Sequence, residues 1–325
     1  MYNVRKIEEN INMRGNFQGT FLYDQELAPR TTFKVGGRAQ ILVEPASVES
    51  FLLVLESLKS LGLPHLVLGG CSNVVVPDEG IDYPILSTLG LNTISLSSDG
   101  RLLRCGAGCS WKQVIDFCLE HHLGGLESFS GLPGSLGGAT FMNARCYDTS
   151  VSDVLEQVEY GQLTQDESGK WSAALQTYKM NPSDWDYKVS PFQKQLADCS
   201  VLAVILKVRL LDEAEVQEME KKAQSFVVDR QQKGHFSYPS AGSVFKNNRE
   251  FGKPSGKIID EAGLRGLELG GAQVAPWHGN FIINRGQACA SDIQQLVQRV
   301  QEEVREKTGF FLEPEIIFLS RSIKT

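Results

Sequence analysis

Three glycine-bearing turns constrain this chain more than any other feature. They are Gly69-Gly-Cys-Ser-Asn73, Gly106-Ala-Gly108 and Gly131-Leu-Pro-Gly-Ser-Leu-Gly-Gly138, read as following strands. Glycine admits positive φ and lets an anion reach backbone N–H groups with no side chain in the way. Ser72, Asn73 and Ser135 add neutral donors. None of the turns is a GxGxxG and none continues into Gly-Lys-Ser/Thr, which argues against a nicotinamide-type Rossmann site and against a P-loop. One such turn alone reads as an ordinary turn. Three in the first 140 residues point toward a dinucleotide whose pyrophosphate is held by neutral hydrogen bonds.

Around these turns the chain alternates strands and helices. The first 20 or so residues are polar and read as an arm or a surface helix. Ala39–Val43 reads as a strand, and Ser47 with Glu49 opens a helix carrying Phe51, Leu52, Leu55 and Leu58 on one stripe. Leu66–Leu68 and Leu102–Cys105 read as short strands. Ser110 then caps a helix, with Gln113 at the capping-box position. Val154–Tyr160 and Val201–Leu211 read as strands on either side of a polar stretch, and Glu213–Gln232 as a charged helix. The last third predicts a helix over 257–262, a strand over 281–284, a helix over 291–308 capped by Ser291, and a strand over 313–319. The expectation is a mixed α/β chain with a smaller second α/β domain.

Composition narrows the function classes. At 325 residues the chain is long enough for two domains, with 42% hydrophobic and 22% charged residues, so disorder is excluded. The longest apolar stretch, Val201–Leu211, is interrupted by Lys207 and Arg209 and is too short to span a membrane. The first fifteen residues carry no apolar core of the secretory kind, so export is not expected. The net charge of −7 has the wrong sign for a nucleic-acid partner. Seven scattered cysteines, with no CxxC pair, fit reduced thiols in a cytosolic protein. The five histidines supply no zinc spacing, and no metal is expected.

Six motifs in order carry a resemblance: Thr31-Thr-Phe-Lys-Val-Gly-Gly37, Leu68-Gly-Gly-Cys-Ser-Asn73, Gly131 through Ala144, Tyr238-Pro-Ser-Ala-Gly-Ser-Val-Phe-Lys-Asn247, Gly270-Gly-Ala-Gln-Val274 and Leu312-Glu-Pro-Glu315. Together, from about residue 28 to 320, they resemble the UDP-N-acetylenolpyruvoylglucosamine reductase (MurB) family in its shorter form. The resemblance implies a two-part FAD-binding domain of the vanillyl-alcohol-oxidase (PCMH) type over residues 28–212, split near 90–100. An N-terminal arm over 1–27 precedes it, and a C-terminal substrate domain over 213–325 follows. It implies a hydride passed from NADPH through FAD to the enolpyruvyl ether of a UDP-sugar. The product is UDP-N-acetylmuramate, a peptidoglycan precursor, made in the cytoplasm for cell-wall growth, cell shape and division. The implied partners are a UDP-sugar substrate, with no nucleic acid and no membrane; the sequence leaves the oligomeric state open.

The same resemblance assigns residues. Gly69, Gly70, Cys71, Ser72, Asn73, Gly131, Pro133, Gly134, Ser135, Gly137, Gly138 and Asn143 are expected to hold FAD without a covalent link. Tyr187, Lys233 and Asn247 are expected at the sugar nucleotide. Adding hydride to a C=C leaves negative charge beside the carboxylate, and that carbon must then be protonated. Ser243 matches the family's proton donor and Glu315 its catalytic carboxylate. Read without its motif, Ser243 is a turn serine capping the next element. Period-two alternation puts Glu315 on one strand face with Ile317 and Leu319, where an unpaired carboxylate is costly.

Several positions depart from the family pattern. Lys188, in Tyr187-Lys-Val-Ser190, replaces an arginine, exchanging a planar fork for one compact charge. We expect weaker orientation of the enolpyruvyl carboxylate there. Cys71 replaces a glycine and is expected to need a negative φ. Arg145-Cys146 brings a charge near the expected flavin region, and Gly234-His235 stands where Gln-Pro is common. His278 matches only loosely, as readily a core or surface histidine as a ligand. Two other readings remain open on the sequence: a catalytically weak flavin- or UDP-sugar-binding paralogue, and another flavin oxidoreductase of the same superfamily.

Overall fold

The computed structural model describes residues 4–322. Residues 1–3 of the expected arm and 323–325 of the expected C-terminal domain lie outside the described residues. The chain divides into two compact units. The first comprises the segment up to Tyr23, Gln40–Gly70 and Tyr83–Val228; the second comprises Asp24–Ala39, Cys71–Asp82 and the chain from Asp229 onward. The division falls inside helix Glu213–Gln232. Among the described residues no helix is long and apolar enough to cross a membrane.

In the first unit, helix Val4–Arg14 buries Ile7 and Ile11, which share one face at i, i+4 spacing. They pack in one core with Phe51, Val54, Leu55 and Leu58 of helix Val48–Ser60. The Ser47 side chain caps that helix, accepting from the Ser50 amide at 3.2 Å. A sheet in the order Gly19–Glu26, Arg38–Pro45, Ile85–Ser87, Leu66–Leu68 carries two parallel pairings, Leu42 with Ile85 and Leu66 with Ile85. Parallel central strands place their carboxyl ends together, and the Leu66–Leu68 strand delivers the first glycine turn there.

A second sheet in the same unit runs Trp171–Lys179, Leu155–Gln165, Ser200–Lys207, Leu102–Gly106, Ile94–Leu96, antiparallel throughout. Ser110 caps helix Trp111–Glu120 through the expected capping box with Gln113. Beneath that helix Trp111 stacks on Phe129 at 4.0 Å. Two expectations need correcting. The polar stretch after Tyr160 contains strand Trp171–Lys179, paired along nine residues with its neighbour. It is an edge strand with no fully buried residue, so it has no apolar face to write a period into the sequence. Val154 does not start a strand but ends a helical turn, Val151–Val154.

The second unit has its own core. Helix Ala290–Thr308 buries Ile293, Leu296, Val297, Val300 and Val304, the stripe read from the sequence. These pack with Val244, Phe245, Ile258, Ile259, Leu312 and Ile316. The helix is capped two residues earlier than expected. Cys289, not Ser291, is the N-cap, because the Asp292 carboxylate reaches back to the Cys289 amide at 3.1 Å and also takes the Gly271 amide at 3.0 Å. The expected strand over 313–319 is only Ile317–Phe318, parallel to Val74–Val75. Pro314 has no N–H to give to a ladder, and it interrupts the run. Residues 313–315 instead meet 244–246 through an isolated bridge, Phe245 with Pro314, and flanking main-chain hydrogen bonds.

Candidate active site

In the first unit the glycine turns converge although up to 69 residues separate them. The Gly70 amide donates to the Ser135 hydroxyl at 3.0 Å. A Cβ at Gly69 would lie 2.1 Å from Ser135 Oγ, and one at Gly70 would lie 2.7 Å from the Gly134 backbone. The Gly137 amide donates to the Ala107 carbonyl at 2.8 Å, and a Cβ at Gly137 would come within 2.8 Å of the Ala107 methyl. Ser135 caps helix Leu136–Phe141, so the third turn ends as a helix start, with Gly131 and Gly134 at positive φ just before it. Pro133 and Gly138 are exposed at this junction. The Ser130 hydroxyl, one residue before the turn, is buried with no hydrogen-bond partner.

The helix is tied to the Tyr187–Lys188 turn. Asn143, buried and at φ +40°, donates from its amide to the Asp186 carbonyl at 2.8 Å and accepts from the Ser152 amide at 3.1 Å. Its side chain therefore braces the loop that presents Tyr187 and Lys188. The Ser190 hydroxyl adds a bond to the Phe141 carbonyl at 2.7 Å. Lys188 is half-buried at φ +60° in a turn closed between Asp186 and Val189. Its ammonium lies 5.9 Å from the ring centre of the exposed Tyr187. Arg145 is exposed and faces Asp148 at 3.8 Å.

Cys71, Ser72 and Asn73 belong to the second unit. Cys71 does not have the expected negative φ: it stands at +48°. A non-glycine residue there costs roughly 1–2 kcal/mol, which the surrounding fold must supply. Burial pushes its thiol up to about 11, so it is an uncharged thiol rather than a nucleophile. Ser72 is half-buried. The Asn73 side chain donates to the Glu315 carbonyl at 3.0 Å, and the Asn73 carbonyl accepts from the Ile317 amide at 2.9 Å. Asn73 thus holds the segment that carries Glu315.

Ser243 and Glu315 come together in this unit through the backbone. The Glu315 amide donates to the Val244 carbonyl at 2.7 Å, while Ser243 forms an antiparallel bridge with Phe281. Glu315 is half-buried, but Ile317 on its strand face is 36% exposed, so the face is not the apolar one expected. Ser243 lines a cleft of about 280 Å³ with Asn247, Lys257, Asp260, Arg265, His278 and Asn280. Asn247 accepts from the Ser255 amide at 2.9 Å. Lys233 and Glu315 do not line this cleft; Lys233 is exposed and pairs with Asp229 at 2.7 Å.

Four cleft residues with polar side chains escaped the sequence reading: Lys257, Asp260, Arg265 and Asn280. Arg265 and Asp260 form a two-pronged ion pair five residues apart, the one local signal that pointed to them. His278 is settled as a cleft residue. Its Nδ1 accepts from the Asn280 amide at 3.1 Å, and burial pulls its pKa down, so the neutral ring carries its proton on Nε2. Gly234, at φ +73°, is required by contact: a Cβ there would lie 2.4 Å from Trp277 Nε1.

Residues 232–319 match the family model for the C-terminal domain of UDP-N-acetylenolpyruvoylglucosamine reductase. A protein of that name from Treponema denticola is 44% identical over 308 residues, covering 93% of this chain and 94% of the relative. The chain belongs to the UDP-N-acetylenolpyruvoylglucosamine reductase family. A Treponema pallidum member is 40% identical over 92% of this chain and 93% of its own length. The crystal structure of the Thermus caldophilus reductase superposes with a TM-score of 0.73 at 31% identity, covering 94% of this chain and all of that one. Residues 39–166 match an FAD-binding domain, which bears out the expected fold and makes this reductase an FAD enzyme.

The residues present fit that cofactor. At the third glycine turn the Ser130 hydroxyl is buried without a partner, a neutral donor of the kind a pyrophosphate can use.

Proposed function

We propose that this reductase uses NADPH and FAD to reduce UDP-N-acetylglucosamine enolpyruvate to UDP-N-acetylmuramate, in the cytoplasm, as a step toward peptidoglycan. The flavin-binding part is read as residues 28–212, in two halves, and the substrate part as 213–325. The FAD-binding match within 39–166 and the C-terminal-domain match over 232–319 support that division. The observation that supports the reading is that Ser243 and Glu315 lie on neighbouring extended segments joined by main-chain hydrogen bonds, with Ser243 opening on a cleft.

FAD, when bound, would supply the two-electron chemistry that links NADPH to the enolpyruvyl double bond. The protein's part is to manage the charge and proton that follow. Hydride addition leaves a pair of electrons on the carbon next to the carboxylate. The Ser243 hydroxyl is assigned to protonate that carbon and to recover its proton from water. Glu315 is the carboxylate that orients this step. Lys188 is the cation assigned to the enolpyruvyl carboxylate, a point charge in place of a fork. Lys257, which also faces Glu261 at 3.7 Å, and Arg265, paired with Asp260, bring two cationic side chains to the cleft for an anionic sugar nucleotide; Asn247 and the Nε2–H of His278 supply neutral hydrogen-bonding groups. Tyr187 and Lys233 are assigned to the same ligand from their own turns.

The test is NADPH oxidation by the flavin-loaded protein with and without the enolpyruvyl sugar nucleotide. Consumption that depends on that compound supports the reading. Bound flavin with no substrate-dependent oxidation selects the weakly catalytic binding protein instead.

A further inference from the structure

Asn280 is buried, 4% exposed, and every hydrogen-bonding group it has on the Phe245 side is used. Its side-chain Oδ1 accepts from the Phe245 amide and its Nδ2 donates to the Phe245 carbonyl, both at 2.8 Å. Its own carbonyl accepts from the Val244 amide at 2.9 Å. A primary amide making both bonds to one residue imitates the next residue of a pairing strand. It does so where no strand is available, because the chain turns back between His278 and Phe281, with the Phe281 amide on the His278 carbonyl at 3.1 Å. The imitation has a consequence for the neighbours. Ser243 is bridged to Phe281, and the Val244 carbonyl takes the Glu315 amide. The register of residues 243–245 is therefore set on one side by Asn280 and transmitted on the other to Glu315.

We infer that Asn280 is a positioning residue for the proton transfer, fixing the register of the extended segment that presents Ser243 and anchors Glu315. The inference rests on the proposed role of Ser243. The site needs an acceptor for an N–H and a donor for a C=O on one planar group, which an amide supplies at any pH. A carboxylate satisfies the first and repels the second. A protonated carboxyl again satisfies both.

That chemistry supplies the experiment. Flavin reduction by NADPH and flavin reoxidation by the enolpyruvyl sugar nucleotide are followed separately by stopped flow, per bound flavin, for wild type, Asn280→Asp, Asn280→Ala and Ser243→Ala. Both Asn280 variants are expected to slow reoxidation at least 10-fold at pH 8 with flavin reduction within twofold of wild type. Lowering the pH toward 5.5 is expected to restore reoxidation in Asn280→Asp, as its carboxyl protonates, and not in Asn280→Ala. The titratable groups at the cleft are Lys257 with Glu261, Asp260, Arg265 and His278, with His235 on the other side of Phe281 and Lys246, Glu313 and Glu315 on the facing segments. These are common to both variants, so the difference between the two profiles isolates position 280. Equal loss of both half-reactions, including failure to retain flavin, makes Asn280 a structural residue and overturns the inference. Wild-type reoxidation in the variants also overturns it, provided Ser243→Ala is blocked. Rapid reoxidation by Ser243→Ala overturns the functional reading beneath it.

Discussion

Replacing Gly70 with alanine tests the flavin cradle by a single methyl group. Gly70 is not at positive φ, so alanine is conformationally allowed and the penalty is steric alone. The new Cβ would stand 2.7 Å from Gly134 Cα, Gly134 C and Ser135 N, all main-chain atoms that cannot rotate away. Ordinary contact begins near 3.4 Å, so the two turns must part by about 0.7 Å. Overpacking of this kind costs about 1–3 kcal/mol. If the turns relax apart without ligand and close on it, the cost falls on FAD binding. Affinity for FAD should therefore fall about 5- to 150-fold. The assay is fluorescence titration of FAD into apoprotein, with Gly15→Ala as the control. A methyl group at Gly15 meets only Leu53, at 3.5 Å, and should leave affinity unchanged. An FAD dissociation constant within twofold of wild type for Gly70→Ala would refute the argument that the closeness of these turns builds the site.

Two further outcomes follow from the site. His235 is held down to about 4 by burial, with the Arg230 charge adding to it. Its folded value lies below its unfolded value of about 6.5, so the unfolded chain takes up the proton first and stability falls as pH drops from 6.5 toward 4. Solvent reaches part of the ring and screens the effect, so the loss from this group is a fraction of what the full shift would give; urea unfolding at pH 7 and pH 4.5 should show a smaller difference in His235→Gln, and an unchanged difference contradicts the assignment. Lys188→Arg restores a planar fork and should raise kcat/KM for the enolpyruvyl sugar about 3- to 10-fold. Unchanged or lower turnover removes the claim that lysine is the poorer clamp.

Features encoded locally were legible in the sequence. Ser47 and Ser110 cap their helices because a hydroxyl and the amide three residues on are neighbours whatever the rest of the chain does. The charged helix Glu213–Gln232 has the bounds that its pattern predicts. Features that depend on distant partners were not legible. Cys289 is a poor capping residue by type, and its role depends on Asp292, which also reaches Gly271 across 21 residues. Strand Trp171–Lys179 owes its existence to pairing rather than to burial. Cys71 at positive φ defied a local steric rule because the fold around it holds that turn. In the candidate site, Ser243 and Glu315 were legible only through their motifs. Asn280 was invisible, since its partner lies 35 residues away and asparagine before a strand carries no signal of its own.

The most direct test of the account is a single-turnover comparison of wild type and Ser243→Ala, each loaded with FAD. The account predicts that NADPH reduces the flavin at the same rate in both, and that the enolpyruvyl sugar nucleotide reoxidises it only in wild type. If the serine hydroxyl can be removed and reoxidation continues, or if both half-reactions fall together, Ser243 is not the proton donor and the central claim is wrong.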